Sequence, residues 1–538
     1  MLESRSQASI GAWLPGTEEP AFSSEAILCA LERVREPSWI VQCPRSGRVG
    51  VGLGGAGVSG GEPGAYPLLG CLPGLYPEWL GDRSFGEAHG VRFAYAAGAM
   101  ANGIASVRMV IALGRAGFLA FFGAAGLEPA EIDSAIGTIR AELGRASFGS
   151  NLIHSPDRPG LEDAVVDIYL RHGVSKVSAA AFMELTPAVL RYACTGLRRE
   201  TDGRIARPHA VFAKISRPEV ARLFLSPPPG AMLEGLVRAG KLGAEEARLA
   251  ARLPLAEDVT VEADSAGHTD RQALPALLPV IERLRDDLCT RHAYERPVRV
   301  GAAGGLGTPN SVAAAFALGA AYVLTGSVNQ ACAESGLHAD CRRLLADVGL
   351  ADVMTAPSAD MFELGAEVQV LKRGTMFGLR ARKLQEIHRR CACPEELPDA
   401  DRSWLEREIL RCSIAEAWDA TRRYWLERDP EEAERAERDG RHRLALLFRS
   451  YLGRASRWAI EADPDRKLDY QIWCGPAMGA FNAWTRGSFL EDPAQRSAVQ
   501  VARNLMEGAA VVSRAQQWRS CGVPVPPAAF DYRPRPLG

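Results

Sequence analysis

The sequence predicts an α/β protein: a (β/α)8 barrel with a small N-terminal domain before it and a helical region after it. Three observations favour this fold class. Eight short apolar runs alternate with helical segments between residues 93 and 330. The last two runs both end in glycine-rich turns, where barrels of this kind bind phosphate. The 538 residues also leave ample chain for flanking domains around a barrel of about 250 residues.

The predicted boundaries divide the chain into four parts. The N-terminal module covers residues 1–90, and the barrel covers 91–330 with a helical insertion at about 226–256. A C-terminal helical region covers 331–520, and the proline-rich residues 521–538 are expected to be a mobile tail.

The N-terminal module is predicted to contain one helix and one hairpin. Ser24 is expected to cap a helix that reaches Arg35, and residues 39–43 pair with residues 48–53. Residues 52–57 match the pattern GxGxxG of dinucleotide-binding sites, but no helix follows them to hold a pyrophosphate. We therefore interpret these residues as a glycine-rich loop.

The barrel strands and helices follow in regular order. The strands are predicted at 93–97, 118–122, 147–152, 176–180, 210–215, 259–263, 298–303 and 322–324. The helices are predicted at 106–115, 129–143, 161–171, 187–197, 218–225 and 274–288, with a seventh that begins at Thr308 and Pro309.

The ends of the last two strands carry the strongest functional signal. The seventh strand ends in Gly304 and Gly305, and the eighth ends in Gly326 and Ser327. Glycine lets backbone N–H groups approach a phosphate closely, and the serine hydroxyl adds a donor. The alternative is a pair of tight turns that bind nothing, but the position after strands seven and eight favours a phosphate site.

Other strand ends complete the expected mouth of the barrel. They contribute backbone donors, a thioether, an amide, a cation and an imidazole, from Gly98, Ala99, Met100, Asn151, Lys214, Gly267 and His268. Around a phosphate, this set suits a planar phosphorylated cofactor such as FMN better than a metal ion. For His268 the alternative is a structural hydrogen bond.

Composition limits the remaining function classes. A net charge of −2 argues against a general nucleic-acid-binding protein. No segment supplies the roughly 20 apolar residues of a membrane span, and the first residues lack the pattern of a signal peptide. The 12 cysteines form no CxxC pair, so neither a zinc site nor a disulfide framework is expected. These features predict a cytoplasmic protein.

Several strings of the sequence resemble a known family. GAMANG, FGSN, ADSAGHTD, GAAGGLG and LTGS, in this order, are similar to the FMN-dependent nitronate monooxygenase and flavin enoyl reductase superfamily. LPGLYPEWLGDRSF, AKISRPEVARLFLSP, QVLKRGTMF and DYQIWCGPAMGAFNAW resemble the PfaD-type trans-acting enoyl reductases of polyunsaturated fatty acid and polyketide synthases. The resemblance extends from about residue 47 to residue 515.

The resemblance implies an enzyme that reduces the 2,3 double bond of an enoyl thioester held on an acyl carrier protein. The hydride would come from NADPH or NADH through FMN. It also implies roles for the site residues. Phosphate binding is expected of Gly304, Gly305, Gly326 and Ser327, and contact with the flavin ring of Gly98, Ala99 and Met100. Asn151 and Lys214 would supply a hydrogen bond and a charge at the flavin edge, and His268, which follows Gly267, would donate a proton or stabilise the oxyanion.

Two other functions fit the same fold and cofactor. One is an oxidase similar to nitronate monooxygenase, and the other is a flavin-binding structural subunit of a synthase complex. A basic segment is either a solvated surface or a docking site for an acidic carrier protein; it comprises Lys372, Arg373, Arg380, Arg382, Lys383, Arg389 and Arg390. The oligomeric state, including a homodimer, stays open.

Overall fold

The computed structural model describes residues 9–59, 62–156, 158, 160–267, 269–359 and 362–538. The strands are β1 (Gly11–Leu14), β2 (Ser38–Gln42), β3 (Val49–Leu53), β4 (Ala56–Val58), β5 (Tyr66–Leu72), β6 (Tyr95–Ala97), β7 (Leu119–Phe122), β8 (Gly149–Ile153), β9 (Lys176–Ala180), β10 (Arg198–Arg199), β11 (Ile205–Ala206), β12 (Ala210–Ile215), β13 (Asp258–Glu262), β14 (Arg299–Ala303), β15 (Val323–Thr325), β16 (Val353–Pro357) and β17 (Glu367–Leu371).

The α-helices are α1 (Ser24–Leu31), α2 (Arg83–His89), α3 (Val107–Arg115), α4 (Pro129–Leu143), α5 (Leu161–Arg171), α6 (Pro187–Cys194), α7 (Pro218–Leu225), α8 (Gly230–Arg238), α9 (Ala244–Ala250), α10 (Leu274–His292), α11 (Pro309–Ala317), α12 (Ser327–Gln330), α13 (Ala339–Ala346), α14 (Phe377–Arg390), α15 (Asp399–Trp404), α16 (Ile414–Arg428), α17 (Pro430–Arg438), α18 (Gly440–Glu461), α19 (Pro476–Thr485) and α20 (Ala498–Ser520). No helix in the described ranges has the length and apolar character needed to cross a bilayer.

Eight parallel strands close the predicted barrel, in the order β12, β13, β14, β15, β6, β7, β8, β9. The fold class is therefore confirmed. Strands β9 and β12 have the predicted bounds, and the other six lie within two residues of them. The short buried runs located these elements well because helical segments and turns separate them in regular alternation.

The inside of the barrel is packed with side chains. Phe121, Phe212 and Tyr322 meet there, with ring centroids 5.1 Å apart for the first pair and 5.7 Å for Phe212 and Tyr322. Helix α2 covers the N-terminal end, where Phe85 stacks on Tyr322 at 4.6 Å. A ligand can therefore enter the barrel only from the C-terminal ends of the strands.

The N-terminal domain is a five-stranded sheet, in the order β3, β2, β5, β1, β4. The predicted hairpin is confirmed as β2 and β3, while the helix is capped by Ser23, not Ser24, and ends at Leu31. Gly54 and Gly55 turn the chain from β3 into β4 with φ angles of 66° and 65°. A strand follows these glycines instead of a helix, which confirms the rejection of a dinucleotide-binding site.

The C-terminal region is helical, as predicted, but it also contains the antiparallel pair β16 and β17. Long helix α20 joins the parts of the chain. Its Glu507 accepts two hydrogen bonds from Arg35, at 2.6 and 2.7 Å, and its Trp518 donates to Ser38 at 3.0 Å. On its barrel side, a Cβ added at Gly508 would come within 2.6 Å of Pro309. The predicted domain boundaries themselves stay a prediction.

The C-terminal tail lies along α20. Gln500 donates to the Leu537 carbonyl at 2.6 Å, and the Arg535 amide donates to Asn504 Oδ1 at 2.8 Å. The mobility of residues 521–538 that their proline content predicts stays a prediction. Motion of this tail away from α20 would have to break these hydrogen bonds.

Candidate active site

The predicted site residues that the structure describes lie at or just after the C-terminal ends of the barrel strands. Lys214 follows the inward-facing Phe212 by two positions in β12, so both side chains point to the barrel interior. By the same alternation Asn151 follows Gly149 in β8, and Glu262 follows Thr260 in β13. Lys214, Asn151 and Glu262 therefore form the upper layer of the barrel interior, which faces the mouth.

Lys214 forms an ion pair that the sequence analysis missed. Its Nζ lies 3.0 Å from Glu262 Oε1, and both side chains are largely buried. The same carboxylate oxygen accepts a hydrogen bond from the Ser265 hydroxyl at 2.9 Å. The sequence analysis did not include Glu262, because an acidic residue in a strand is usually exposed. The signals that could have identified it are its register, which places it on the inner face, and its position in the buried run of β13.

Asn151 is held in a fixed orientation. Its Oδ1 accepts hydrogen bonds from the backbone amides of Ala124 and Ala125, at 2.7 and 3.2 Å. Among the described residues, none accepts a hydrogen bond from its Nδ2. Nδ2 is therefore the atom left to donate to a ligand at the mouth.

The loop after β6 contacts the end of β15. The Gly98 amide donates to the Thr325 carbonyl at 2.8 Å, and a Cβ added at Gly98 would lie 2.6 Å from Leu324. The neighbouring Met100 is partly buried, and its carbonyl accepts a hydrogen bond from Ala105 at 3.1 Å. The Gly98 contacts place this residue at the end of β15, next to the Gly326 turn, and Met100 follows two positions later in the same loop.

The two glycine turns leave room for a ligand group. Gly304 has a φ angle of 91°, and an added Cβ would lie 2.8 Å from the Ala263 carbonyl carbon. Gly305 also has a positive φ, 70°, but an added Cβ would meet no heavy atom within 4 Å there or at Gly326. Open space beside backbone amides of this kind fits the phosphate of FMN.

A segment of the C-terminal region lies over the mouth at the end of β15, beside Ser327. The Gly475 amide donates to Ser327 Oγ at 3.2 Å, and the Trp473 carbonyl accepts from Gln330 at 2.7 Å. A Cβ added at Gly475 would lie 3.1 Å from the Ala266 amide nitrogen. The Ser327 oxygen therefore already accepts one hydrogen bond, and its hydrogen is left to donate to a phosphate.

The loop after β13 is anchored on both sides of His268, which itself lies outside the described residues. Asp264 Oδ1 accepts a hydrogen bond from Gln369 of β17 at 2.5 Å. On the other side, Asp270 pairs with Arg217 through two bonds of 2.7 Å. Thr269 donates to the Glu262 carbonyl at 2.9 Å. The described residues on the two sides of His268 are thus tied to β13, to β17 and to Arg217.

A cavity of about 230 Å³ adjoins the Gly304 turn, between α10 and α11. Its lining is mostly apolar and includes Leu274, Leu318 and Pro476. Gly304 and Gly305 belong to the same lining, so the cavity adjoins the open space beside the Gly305 turn. Within the described ranges, no group of three or more His, Cys, Asp or Glu side chains could hold a metal ion.

The basic segment is only partly available to a partner. Arg380 is an internal residue: its Nη2 pairs with Glu408 at 3.1 Å, and its Nη1 pairs with the fully buried Asp469. Arg382 donates to Thr355, and Lys383 lies 3.9 Å from the ring centre of Trp404. A docking surface that includes Arg380 is therefore wrong, because this cation neutralises a buried carboxylate.

One solved structure matches the chain over most of its length. It is the enoyl reductase domain of MlnA from the macrolactin biosynthesis cluster of Bacillus amyloliquefaciens. The two share 36% sequence identity with a TM-score of 0.78, and the match covers 82% of this chain and 99% of that domain.

Curated relatives are larger proteins. The chain is 42% identical to one of the subunits of the polyunsaturated fatty acid synthase from Thraustochytrium sp., over 85% of this chain and 31% of that protein. It is 44% identical to the polyketide biosynthesis protein ThaF of Burkholderia thailandensis, over 82% and 38% respectively. It is 41% identical to the polyketide biosynthesis protein PksE of Bacillus subtilis, over 82% and 57%. The chain thus spans a third to just over half of the length of these relatives.

A family model matches part of the C-terminal region. Residues 391–470 match the inserted helical domain of [acyl-carrier-protein] S-malonyltransferase. This range begins directly after α14 and ends at Tyr470, just before the segment that lies over the mouth.

Proposed function

Because the chain belongs to the family of the MlnA enoyl reductase domain, we propose that it reduces the 2,3 double bond of enoyl thioesters with FMN and NADPH or NADH. The likeness to that domain, over 99% of its length, carries the proposal. The contacts at the barrel mouth support it, because they combine open space beside Gly305 and Gly326 with polar side chains in one layer of the barrel interior. When bound, FMN would supply hydride transfer from the nicotinamide to the alkene carbon.

The residues of the mouth would divide the work of binding. The backbone at Gly305 and Gly326 would hold the phosphate, and Ser327 would donate its hydroxyl hydrogen to it. Asn151 Nδ2 would donate to the polar edge of the flavin. Lys214 would place its positive charge at the same edge, held in position by Glu262.

His268 would act on the substrate. Hydride addition at Cβ leaves negative charge on the thioester oxygen, and Cα must then take up a proton. A histidine titrates near neutral pH, which suits it to donate that proton or to hydrogen-bond the oxygen. Its position in the anchored loop between Asp264 and Asp270 would keep it at the mouth.

The thioester is proposed to arrive on an acyl carrier protein, since the relatives include synthase subunits. A better docking surface than Arg380 is an apolar patch formed by Met376, Leu379 and Leu468, which are 40%, 53% and 52% exposed. The Met376 amide donates to the Leu468 carbonyl at 2.7 Å, so the patch is continuous. Exposed Lys372 and Lys467 flank it and suit an acidic carrier.

The docking patch is close to the active site along the chain. Met376 lies seven positions after Gln369, which contacts the loop after β13, and seven Cα–Cα steps span at most about 25 Å. A carrier bound at the patch could therefore deliver a flexible prosthetic arm to the mouth.

Anaerobic oxidation of NADPH by the FMN-loaded protein tests the function. We expect one fast flavin reduction without a second substrate, and continuous turnover after a 2-enoyl thioester is added. Turnover that requires oxygen instead of the thioester would point to an oxidase. No flavin reduction in either case would leave a structural flavin-binding subunit.

A further inference from the structure

A second cavity lies at the N-terminal end of the barrel, opposite the mouth. Its volume is about 330 Å³, and it lies between the end of α2, the loop from α4 to β8, and the start of β9. The polar side chains in its lining are hydrogen-bond donors or cations, and they belong to His89, Arg140, Arg145, Ser147, Ser175 and Lys176. No carboxylate belongs to this lining.

Lys176 is the central cation of this cavity. It is only 8% exposed, and its Nζ donates to Ser175 Oγ at 3.2 Å. Within the described part of the chain it forms no ion pair. Burial lowers the pKa of Lys176 to about 8, and the positive charge of Arg140 acts in the same direction. The negative charges of Glu257 and Asp258 raise it, but by less.

The nearby acid, Asp258, does not neutralise Lys176, because it already pairs with His89 and Arg299. Asp258 Oδ2 lies 2.9 Å from His89 Nε2, and Asp258 Oδ1 lies 2.7 Å from Arg299 Nε. Burial alone would raise the pKa of Asp258, but His89 and Arg299 outweigh it and lower the pKa. The Asp258 carboxylate therefore stays charged and bound to His89 and Arg299 at the N-terminal end of β13.

Of the other donors, His89 pairs with Asp258, but Arg140 has no anionic partner among the described residues. Arg140 donates to the backbone carbonyls of His172 at 3.2 Å, of Gly144 at 3.1 Å and of Gly173, and its guanidinium lies 4.9 Å from the Phe148 ring centre. Burial lowers the pKa of Arg140 as well. The hydroxyl oxygen of Ser147 is buried without a hydrogen-bond partner among the described residues. Buried cations and donors of this kind are normally satisfied by an acceptor.

We propose that this cavity is a second anion-binding site, which takes the oxyanion of free phosphate or of a small phosphate ester. Tetrahedral oxyanions accept several hydrogen bonds and so match the ammonium of Lys176, the hydroxyl of Ser147 and the exposed guanidinium of Arg145 at the rim. The cavity is larger than a single phosphate, which leaves space for the organic part of an ester. The site is independent of the flavin site because the packed barrel interior separates the two.

Binding of an anion should be linked to the protonation of Lys176. An anion favours the charged ammonium, so it raises the pKa of this lysine and draws a proton from solution. With a starting pKa of about 8, roughly half of a proton should be taken up per anion at about pH 8, and almost none at about pH 6. Sulfate is the appropriate probe because it does not titrate in this range.

The experiment is calorimetric titration of the FMN-loaded protein with sulfate, at constant ionic strength, in two buffers of different ionisation enthalpy. We expect saturable binding with proton uptake at about pH 8. Lys176→Met should lose the proton uptake and bind at least about tenfold more weakly. Arg145→Ala, at an exposed position, should weaken binding severalfold and keep the uptake. Arg115→Ala is the matched control, because Arg115 is an exposed arginine that pairs with Glu142 outside the cavity.

Glycerol phosphate distinguishes the two sources of the anion. Tighter binding than sulfate, sensitive to Lys176→Met, indicates an ester, and equal binding indicates free phosphate. The proposal is overturned if Lys176→Met binds sulfate as well as the unmodified protein does, or if binding takes up no proton at about pH 8. Weak, unsaturable binding that is the same in all variants would mean an adventitious ion only.

Discussion

Substitution of Gly326 tests the phosphate site most directly, because this glycine can be replaced without disturbing the fold. Its φ angle is −124°, which other residues adopt, and an added Cβ meets no heavy atom within 4 Å. Gly326→Asp would place a carboxylate in the space assigned to the phosphate. Gly326→Asn has nearly the same shape without the charge, and Gly326→Ala adds only the methyl group.

The magnitude follows from the distance between the charges. A carboxylate roughly 5 Å from the phosphate costs about 3 kcal/mol for each unit of phosphate charge, at an effective dielectric constant of 20. That energy corresponds to a loss of at least about 100-fold in FMN affinity for Gly326→Asp relative to Gly326→Asn. Salt should reduce the difference only partly, because the turn is partly buried.

The measurements are the flavin content of the purified variants and the dissociation constant from quenching of flavin fluorescence. Thermal unfolding of the apoproteins shows that all three variants fold alike. Equal FMN affinity of the Asp and Asn variants would refute the phosphate site at this turn. A loss common to all three variants would show that space, and not charge, controls binding there.

Three further predictions concern chemistry, docking and stability. His268→Ala should slow thioester reduction by about 10² to 10⁴ with nicotinamide oxidation retained, as stopped-flow absorbance of the two half-reactions will show; equal loss of both would contradict a role on the substrate. Lys372→Glu combined with Lys467→Glu should raise the KM for a carrier-bound enoyl substrate, mostly at low salt, and leave a small soluble thioester unaffected; an equal effect on both would rule out the docking patch. Asp258→Asn should lower the free energy of unfolding by about 3 to 5 kcal/mol in urea titrations, since it leaves the largely buried Arg299 without its carboxylate partner. Because the pKa of Asp258 is lowered in the folded state, its contribution to stability is present above the pKa of the unfolded state and is lost as the pH falls through the pKa of the folded state. Asp133→Asn is the control: Asp133 pairs with Arg171 at the surface, and its substitution should change stability little.

Local signals in the sequence predicted most of the barrel. Helices α4, α5 and α7 have the predicted bounds, and Thr308 caps α11 as expected, because side-chain periodicity and capping act within a few residues. The antiparallel pair β16 and β17 was missed, since its strands are short and one of them is stabilised by a contact about 100 positions away, between Val370 and Trp473.

The sequence by itself determined which strand ends carry glycine, amide, lysine and histidine, and therefore the kind of ligand to expect. It could not determine which charges meet. The pairing of Lys214 with Glu262, the engagement of Ser327 by Gly475 and the burial of Arg380 against Asp469 each join distant parts of the chain. Such pairings depend on the closure of the barrel and on the packing of the C-terminal region over its mouth. Because the energy of a charge depends on the neighbours and the solvent around it, only the tertiary structure decided which cations are available to a ligand and which are already satisfied.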